Sequence, residues 1–276
     1  MDGSFSPRPP RRSRAKLRQP RVAEMLADVL RDRILSGELD DGALLPKQDD
    51  LLLEFGTSKA SAREAFRILE TEGLVTVLRG NVGGAVVHRP KPETAAYMLG
   101  LVLQSRSVHL SDVGAALQYI EPLCAALSAG RADRATAVVP RLEAAHQALV
   151  DAIDEGDEAG AVPASRAFHE ELVQCSGNET MILFAGALES LWSAHEESWS
   201  VAASEAGRFP EPLLRKRALQ EHEQLIDAIS AGDIDRATRT ARRHLLTAQQ
   251  YPLGDGGGGA VQASYLRRFT RESLKP

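Results

Sequence analysis

Long apolar runs are missing from this chain. Nowhere among its 276 residues do about 18 apolar residues follow one another without a break, so no membrane-spanning helix is expected. The N-terminus carries charge with no apolar stretch behind it, so no secretory signal is expected either. Aromatic residues make up only 5% of the chain while Ala and Leu are plentiful, which suits close helix packing better than β-sandwiches. The two cysteines, Cys124 and Cys175, fit no metal or redox spacing. They are expected to be reduced, buried thiols in a cytoplasmic protein. No internal repeat marks a solenoid. What remains is an ordinary apolar content of 43% in a length sufficient for two modest domains, each with its own core.

The stretch Leu45 to Val87 is the most organised. Before it, Arg21 to Ser36 has helical spacing, with Val22, Met25, Leu26, Val29, Leu30 and Ile34 on one stripe, and Gly37 stops it. Leu44-Leu45-Pro46 leads into a second helix near 47–55, ended by Gly56. Ser58 can cap a third helix that runs to Glu72 before Gly73. On that helix Ala62, Ala65, Phe66 and Leu69 form the inward stripe, while Lys59, Arg63 and Arg67 recur every fourth residue opposite. Ser58 and Ser61 lie near its N-terminal end. Short polar and long basic side chains at a helix tip suit the major groove of duplex DNA. A strand at 74–78, a Gly-rich tip from Arg79 and a return strand at 85–87 follow. The tip Arg79-Gly80-Asn81 can lie over a minor groove or the backbone, where glycine permits close approach. Residues 21–89 thus predict a winged helix-turn-helix that binds double-stranded DNA.

The net charge of −5 must be divided before it bears on this reading. Residues 1–21 carry +6, residues 22–90 carry −4 and residues 91–276 carry −7. The basic tail at 1–20, with Pro9, Pro10 and Pro20, reads as disordered; it can stroke DNA or simply be solvated. A domain with so acidic a balance contacts few phosphates, so specificity calls for dimerisation.

Ile34-Leu35-Ser36-Gly37-Glu38-Leu39, Leu45-Pro46, Ser58-Lys59 and the run Ala62 to Val75 resemble the DNA-binding domain of the GntR family of bacterial transcription regulators. The resemblance implies that Lys59 and Arg63 contact the operator, assisted by Ser58 and the wing tip Arg79-Gly80. Two positions depart from it. Lys47 stands where a capping Ser is usual, and Asp49 stands where a basic contact residue is common. Asp49 would repel phosphate, so that contact is expected to be missing.

Beyond the linker Pro90-Lys91-Pro92 only helical periodicity is found, over 93–105, 111–129, 134–154, 158–176, 179–200, 211–230 and 234–250. This predicts an all-α bundle of about seven helices over 93–251, followed by a flexible tail at 252–276. The fold class is therefore mainly α. Five of the seven histidines, His146, His169, His195, His222 and His244, fall on these helices. His222 lies eight residues before the turn at Ser230 and His244 ten beyond Ile234. At about 1.5 Å rise per residue both imidazoles reach one level of an antiparallel pair. His169, from a third helix, could complete a facial set suited to Zn²⁺ or Ni²⁺.

Ile120-Glu121-Pro122, Ala167-Phe168-His169, Ser176-Gly177-Asn178, Glu221-His222, Ala231-Gly232-Asp233 and His244-Leu245 resemble the all-helical effector domain (FCD) of the FadR-type branch of that family. The resemblance implies a divalent metal held by His169, His222 and His244, with His195 a further candidate, plus an Asp four residues before the first His. That Asp position is Ser165 here, leaving a place for a water, an effector carboxylate or His195. An Arg that relatives use to hold an acid effector falls at Leu117, four residues before Glu121, so a more apolar effector is expected. The effector candidates are Leu117, Glu121, Ser165 and His195.

Together these readings predict a homodimeric, ligand-responsive transcription regulator, usually a repressor in this family, with no enzyme activity and no membrane partner. Two rivals come from other classes. A metal-dependent hydrolase would need a general base beside the metal, for which Glu170, Glu171 or Glu221 could be proposed. An architectural DNA-binding dimer would use the bundle only for dimerisation.

Overall fold

The computed structural model describes residues 22–78, 84–205, 212–250 and 259–266. The chain divides into two compact units between Pro90 and Lys91, within the Pro-Lys-Pro stretch.

In the first unit, α1 (Val22–Ser36), α2 (Gln48–Phe55) and α3 (Lys59–Thr71) precede β1 (Val75–Val77) and β2 (Ala85–Val87). The strands are antiparallel, with Val75 opposite Val87, Thr76 opposite Val86 and Val77 opposite Ala85. The two helix starts differ as their residues dictate. Lys47 precedes α2 without a side-chain cap, whereas Ser58 Oγ accepts the Ser61 N–H at 3.1 Å and starts α3. α3 buries Ala62, Ala65, Phe66 and Leu69 against Leu30 and Ile34 of α1, Leu51 of α2 and the hairpin's Val75 and Val87.

Two local expectations change. The inner face of α1 is Ala23, Leu26, Ala27, Leu30 and Ile34, while Val22, Met25 and Val29 of the predicted stripe are exposed. The small alanines let α1 approach α3 closely, which turns the helix away from its bulkier residues. Leu44-Leu45 also does more than lead into α2. Leu44 bridges Val86, the Leu45 N–H donates to the Ala85 carbonyl at 2.8 Å and the Val87 N–H donates to that of Ala43 at 2.8 Å. The segment thereby covers an otherwise open edge of the hairpin.

The second unit consists of α4 (Pro92–Ser105), α5 (Leu110–Gly130), α6 (Arg134–Ala137), α7 (Val139–Asp154), α8 (Glu158–Gln174), α9 (Glu179–Glu205), α10 (Pro212–Ala231) and α11 (Ile234–Ala248). These are eight helices among the described residues, because the segment expected as one helix over 134–154 breaks at Val138. Pro140 sits in the first turn of α7, where its missing N–H costs least. One core joins α5, α7, α8, α10 and α11 through Ala125, Leu142, Phe168, Leu172, Leu225, Ile229 and Ala241. A second joins α4, α5 and α9 through Ala96, Leu110, Leu117, Leu191 and Trp192. Cys124 and Cys175 are buried free thiols, and burial, aided by the Glu121 charge, pushes the Cys124 thiol up to about 12. No helix among the described residues is long and apolar enough to cross a membrane.

The predicted flexible tail at 252–276 is corrected in part. Residues 259–266 dock onto α4, α5 and α9, burying Val261, Ala263 and Leu266, the last two in a short 3₁₀ turn (Ala263–Leu266). The Val261 N–H donates to the Val108 carbonyl at 2.9 Å and the Leu110 N–H donates to that of Gly259 at 2.9 Å. The Ala263 N–H donates to Gln104 Oε1 at 2.9 Å. A Cβ at Gly100 would lie 3.0 Å from Leu191 and 3.3 Å from Ala263, so α4 needs a glycine where the segment crosses it. The preceding glycine run masks this in the sequence, because three apolar residues gain meaning only from the groove that receives them.

Candidate functional site

The face of α3 opposite its buried stripe carries the predicted DNA-contacting side chains. Ser58, Lys59, Arg63 and Arg67 are exposed and Ser61 is half-buried. Lys59 Nζ is paired with Asp49 Oδ1 at 2.8 Å, both side chains more than half exposed. Asp49 thus occupies Lys59 in the free protein. Arg67 lies 3.6 Å from Glu64 on the same helix, and Arg63 has no ion pair among the described residues. Arg79, Gly80 and Asn81 at the wing tip lie outside the described residues.

In the second unit, α8, α10 and α11 bring His169, His222 and His244 together, all buried. Their ligand nitrogens lie within 4.8 Å of one another. His222 Nε2 is 3.1 Å from His244 Nε2, which is 3.4 Å from His169 Nε2. The other ring nitrogens explain the orientation. His169 Nδ1–H donates to Glu121 Oε1 at 2.7 Å, and His244 Nδ1–H donates to Glu221 Oε2 at 3.3 Å. Carboxylates behind two imidazoles aim both Nε2 lone pairs into one space, which only a proton from His222 or a cation can share. Phe168 stacks on His222 at 3.7 Å between ring centroids, 11° from parallel, and fixes the third ring. His222 Nδ1 is a buried atom with no hydrogen-bond partner.

The donor set fits a divalent metal. Tetrahedral Zn–N bonds near 2.0–2.1 Å would separate ligand nitrogens by about 3.3–3.4 Å, close to the two short separations. Burial lowers His222 well below the usual histidine value, and the other histidines of the cluster lower it further. Burial also lowers His244, with Glu221 opposing. Both are thereby kept neutral, the form a metal requires. At His169 burial again acts downward, but the charge and hydrogen bond of Glu121 outweigh it and raise the imidazole. Glu121, raised by burial, is brought below the usual carboxylate range by His169. Glu189 goes the other way, pushed well up by burial and then by the charge of Glu121.

Two predicted site residues take other roles. Glu121, expected to meet an effector, is fully buried behind His169 and orients it. His195, a further metal and effector candidate, is held outside the cluster. Its Nδ1–H donates to the Leu191 carbonyl at 2.7 Å and its Nε2 accepts the Gln262 N–H at 2.9 Å. Both nitrogens are thus committed, one of them to the docked C-terminal segment. Leu117 and Ser165 do meet a space beside His169, a chamber of about 30 Å³ lined also by Glu189, Trp192, Glu196 and Gln249. That volume suits a water-sized occupant. The sequence reading passed over Glu189, Trp192, Ser193 and Glu196, which recur at i, i+3, i+4 and i+7 on the inward face of α9. Acids interrupting an apolar stripe were the available signal.

The description of the gntR family of bacterial regulatory proteins matches residues 22–86, and that of the FCD domain matches residues 112–247. Between them they span most of the chain, which belongs to the gntR family and joins its helix-turn-helix to an FCD domain. It is a ligand-responsive, DNA-binding transcription regulator. Relatives include the HTH-type transcriptional repressor NanR of Cronobacter sakazakii, 26% identical over 234 residues, which cover 84% of this chain and 85% of that one. NanR of Salmonella newport is also 26% identical, over 251 residues covering 87% and 90%. Among solved structures, Streptococcus agalactiae GntR shares the fold, with a TM-score of 0.62 at 23% identity over 83% of this chain and 99% of that chain.

Proposed function

We propose that this protein is a repressor that works in the cytoplasm as a homodimer, with Lys59, Arg63 and Arg67 meeting the operator and a metal-assisted sensor in the helical domain. The observation that carries the sensor reading is the convergence of three Nε2 atoms, two of them aimed by buried carboxylates. His169, His222 and His244 would hold a divalent cation such as Zn²⁺ or Ni²⁺, which would supply a Lewis-acidic anchor for an oxygen of a bound ligand. Ser165 faces the chamber beside it with a neutral hydroxyl. Glu121 and Glu221 supply negative charge one shell further out.

The hydrolase reading loses its general bases to existing partners. Glu170 is bonded to Arg166 at 2.6 Å, Glu171 to Arg141 at 2.7 Å, and Glu221 faces His244, Arg217 and Arg243. We therefore read the bundle as a sensor without turnover. The printed name of the NanR relatives supports repression, and two copies would read half-sites about one helical turn apart.

The test is a titration of the full chain against a palindromic operator selected from random duplex DNA, at fixed salt, with added Zn²⁺ and after chelation. Metal loading is expected to change operator affinity by about 5- to 150-fold. Equal affinity in the two states would overturn the metal-assisted part of this reading.

A further inference from the structure

A larger cavity, of about 440 Å³, lies on the other side of Arg166 and Glu189 from the small chamber. Its walls are the first turn of α4 (Pro92, Glu93, Ala96), residues of α8 and α9, and Leu266 of the docked C-terminal segment. We propose that this cavity is a ligand site separate from the histidine cluster, bordered by Leu266 of the C-terminal segment and suited to a small amphipathic molecule with a cationic head.

Three observations support it. The first is size, since about 300–1,000 Å³ is the range of small-molecule pockets and the chamber beside His169 is too small for an organic ligand.

The second is Gly186. It sits inside the 27-residue helix α9, where glycine weakens a helix relative to alanine. A Cβ built there meets nothing within 4 Å, so no packing contact accounts for its small size. What a side chain at 186 would fill is this cavity, which Gly186 lines.

The third is charge. The lining holds Glu93, Glu170, Glu171 and Glu189 against a single basic residue, Arg166. Arg166 is bonded to Glu170, and Glu171 is paired with Arg141. That leaves Glu93, exposed and without an ion pair among the described residues, as the one carboxylate free to meet a cation, since Glu189 is buried against Glu121 and held well above the usual carboxylate range. The opposite wall is apolar, with Ala96, Val173, Ile182 and Leu266. An alkyl chain fits that wall while an ammonium meets Glu93 at its rim; an acid there would face repulsion from Glu93. A ligand here would touch the first turn of α4, which follows the linker. This inference rests on the reading of the bundle as a sensor for the claim that the ligand regulates, but not for the claim that it binds.

Isothermal titration of the full chain with n-hexylamine, 1-hexanol and hexanoate tests it. Hexylammonium is expected to bind one site per chain, about threefold more tightly than hexanol, with hexanoate weakest. Gly186→Leu, which fills the cavity while favouring the helix, is expected to abolish amine binding without loss of metal or of thermal stability. Glu93→Gln, at an exposed position, is expected to weaken hexylammonium several-fold and leave hexanol unchanged. Absence of amine binding, hexanoate binding as tightly as the amine, or undiminished amine affinity in Gly186→Leu would each overturn the site. Amine binding that leaves operator affinity unchanged would uphold the site and sink the sensor reading instead.

Discussion

The basic side of α3 and the histidine cluster are built on opposite principles. On α3 every candidate contact leaves one helix, so spacing alone places Lys59, Arg63 and Arg67 on one face, and all three are exposed. The cluster draws its members from helices 75 residues apart in sequence, buries them all, and orients two of the three through carboxylates that are themselves buried. A charge pair on the first surface, Lys59 with Asp49, is screened by water and contributes little. The pair of Glu121 and His169 is buried, and each partner shifts the other, the carboxyl downward and the imidazole upward. A substitution on α3 should therefore change binding and little else. One in the cluster should change binding and local order together.

The largest effects are expected in the cluster. His222→Ala should strip most bound metal from the purified protein, measured as metal per chain by elemental analysis; a content equal to the parent would exclude His222 as a ligand. Glu121→Gln keeps the shape but removes the charge behind His169, and should weaken metal affinity by about 10- to 100-fold, read by competition with a chelating dye. On α3, Arg63→Ala should cost about 1–3 kcal/mol of operator binding at fixed salt if the guanidinium reaches a base edge. A loss of that kind with unchanged metal content would sharpen the contrast between the two regions.

A smaller effect is expected where the C-terminal segment meets His195. Burial holds this imidazole below its ordinary value of 6.5, with its hydrogen bond to Leu191 opposing. Released from the segment and unfolded, it takes up a proton more readily. Its contribution to docking should therefore be complete above pH 6.5 and decline as pH falls toward the lowered value. Hydrogen-exchange protection of the Gln262 and Ala263 amides, compared across that window, checks this. The least effect is expected for Asp49→Asn, which frees Lys59 and removes a charge that repels phosphate. Operator binding should tighten by at most about 1 kcal/mol, visible in the same operator titration at fixed salt as Arg63→Ala.

Much of the first unit could be read directly. The Ser58 cap, the Ala62–Ala65–Phe66–Leu69 stripe and the hairpin follow from neighbours in the chain, and each is where local spacing put it. The inner face of α1 was misjudged because closeness of packing, not side-chain size, selected the alanines. In the second unit the matched depth of His222 and His244 was legible from a shared turn. The role of His195 was not, since its partner Gln262 lies beyond a glycine run. Glu121 was recognisable as a site residue, but whether its carboxylate faced a ligand or a histidine depended on what stood opposite.

By itself, then, the order of residues determined the helices, their caps, the hairpin, the basic face of α3 and the set of histidines available to meet. Periodicity and turn chemistry act over a few residues, so they are written in the chain. Only the packing of α5, α8, α10 and α11 decided which three imidazoles converge and which carboxylates stand behind them. Only the groove on α4 and α9 decided that residues 259–266 close a wall. Those outcomes depend on surfaces assembled from distant segments, where burial fixes charge and contact together.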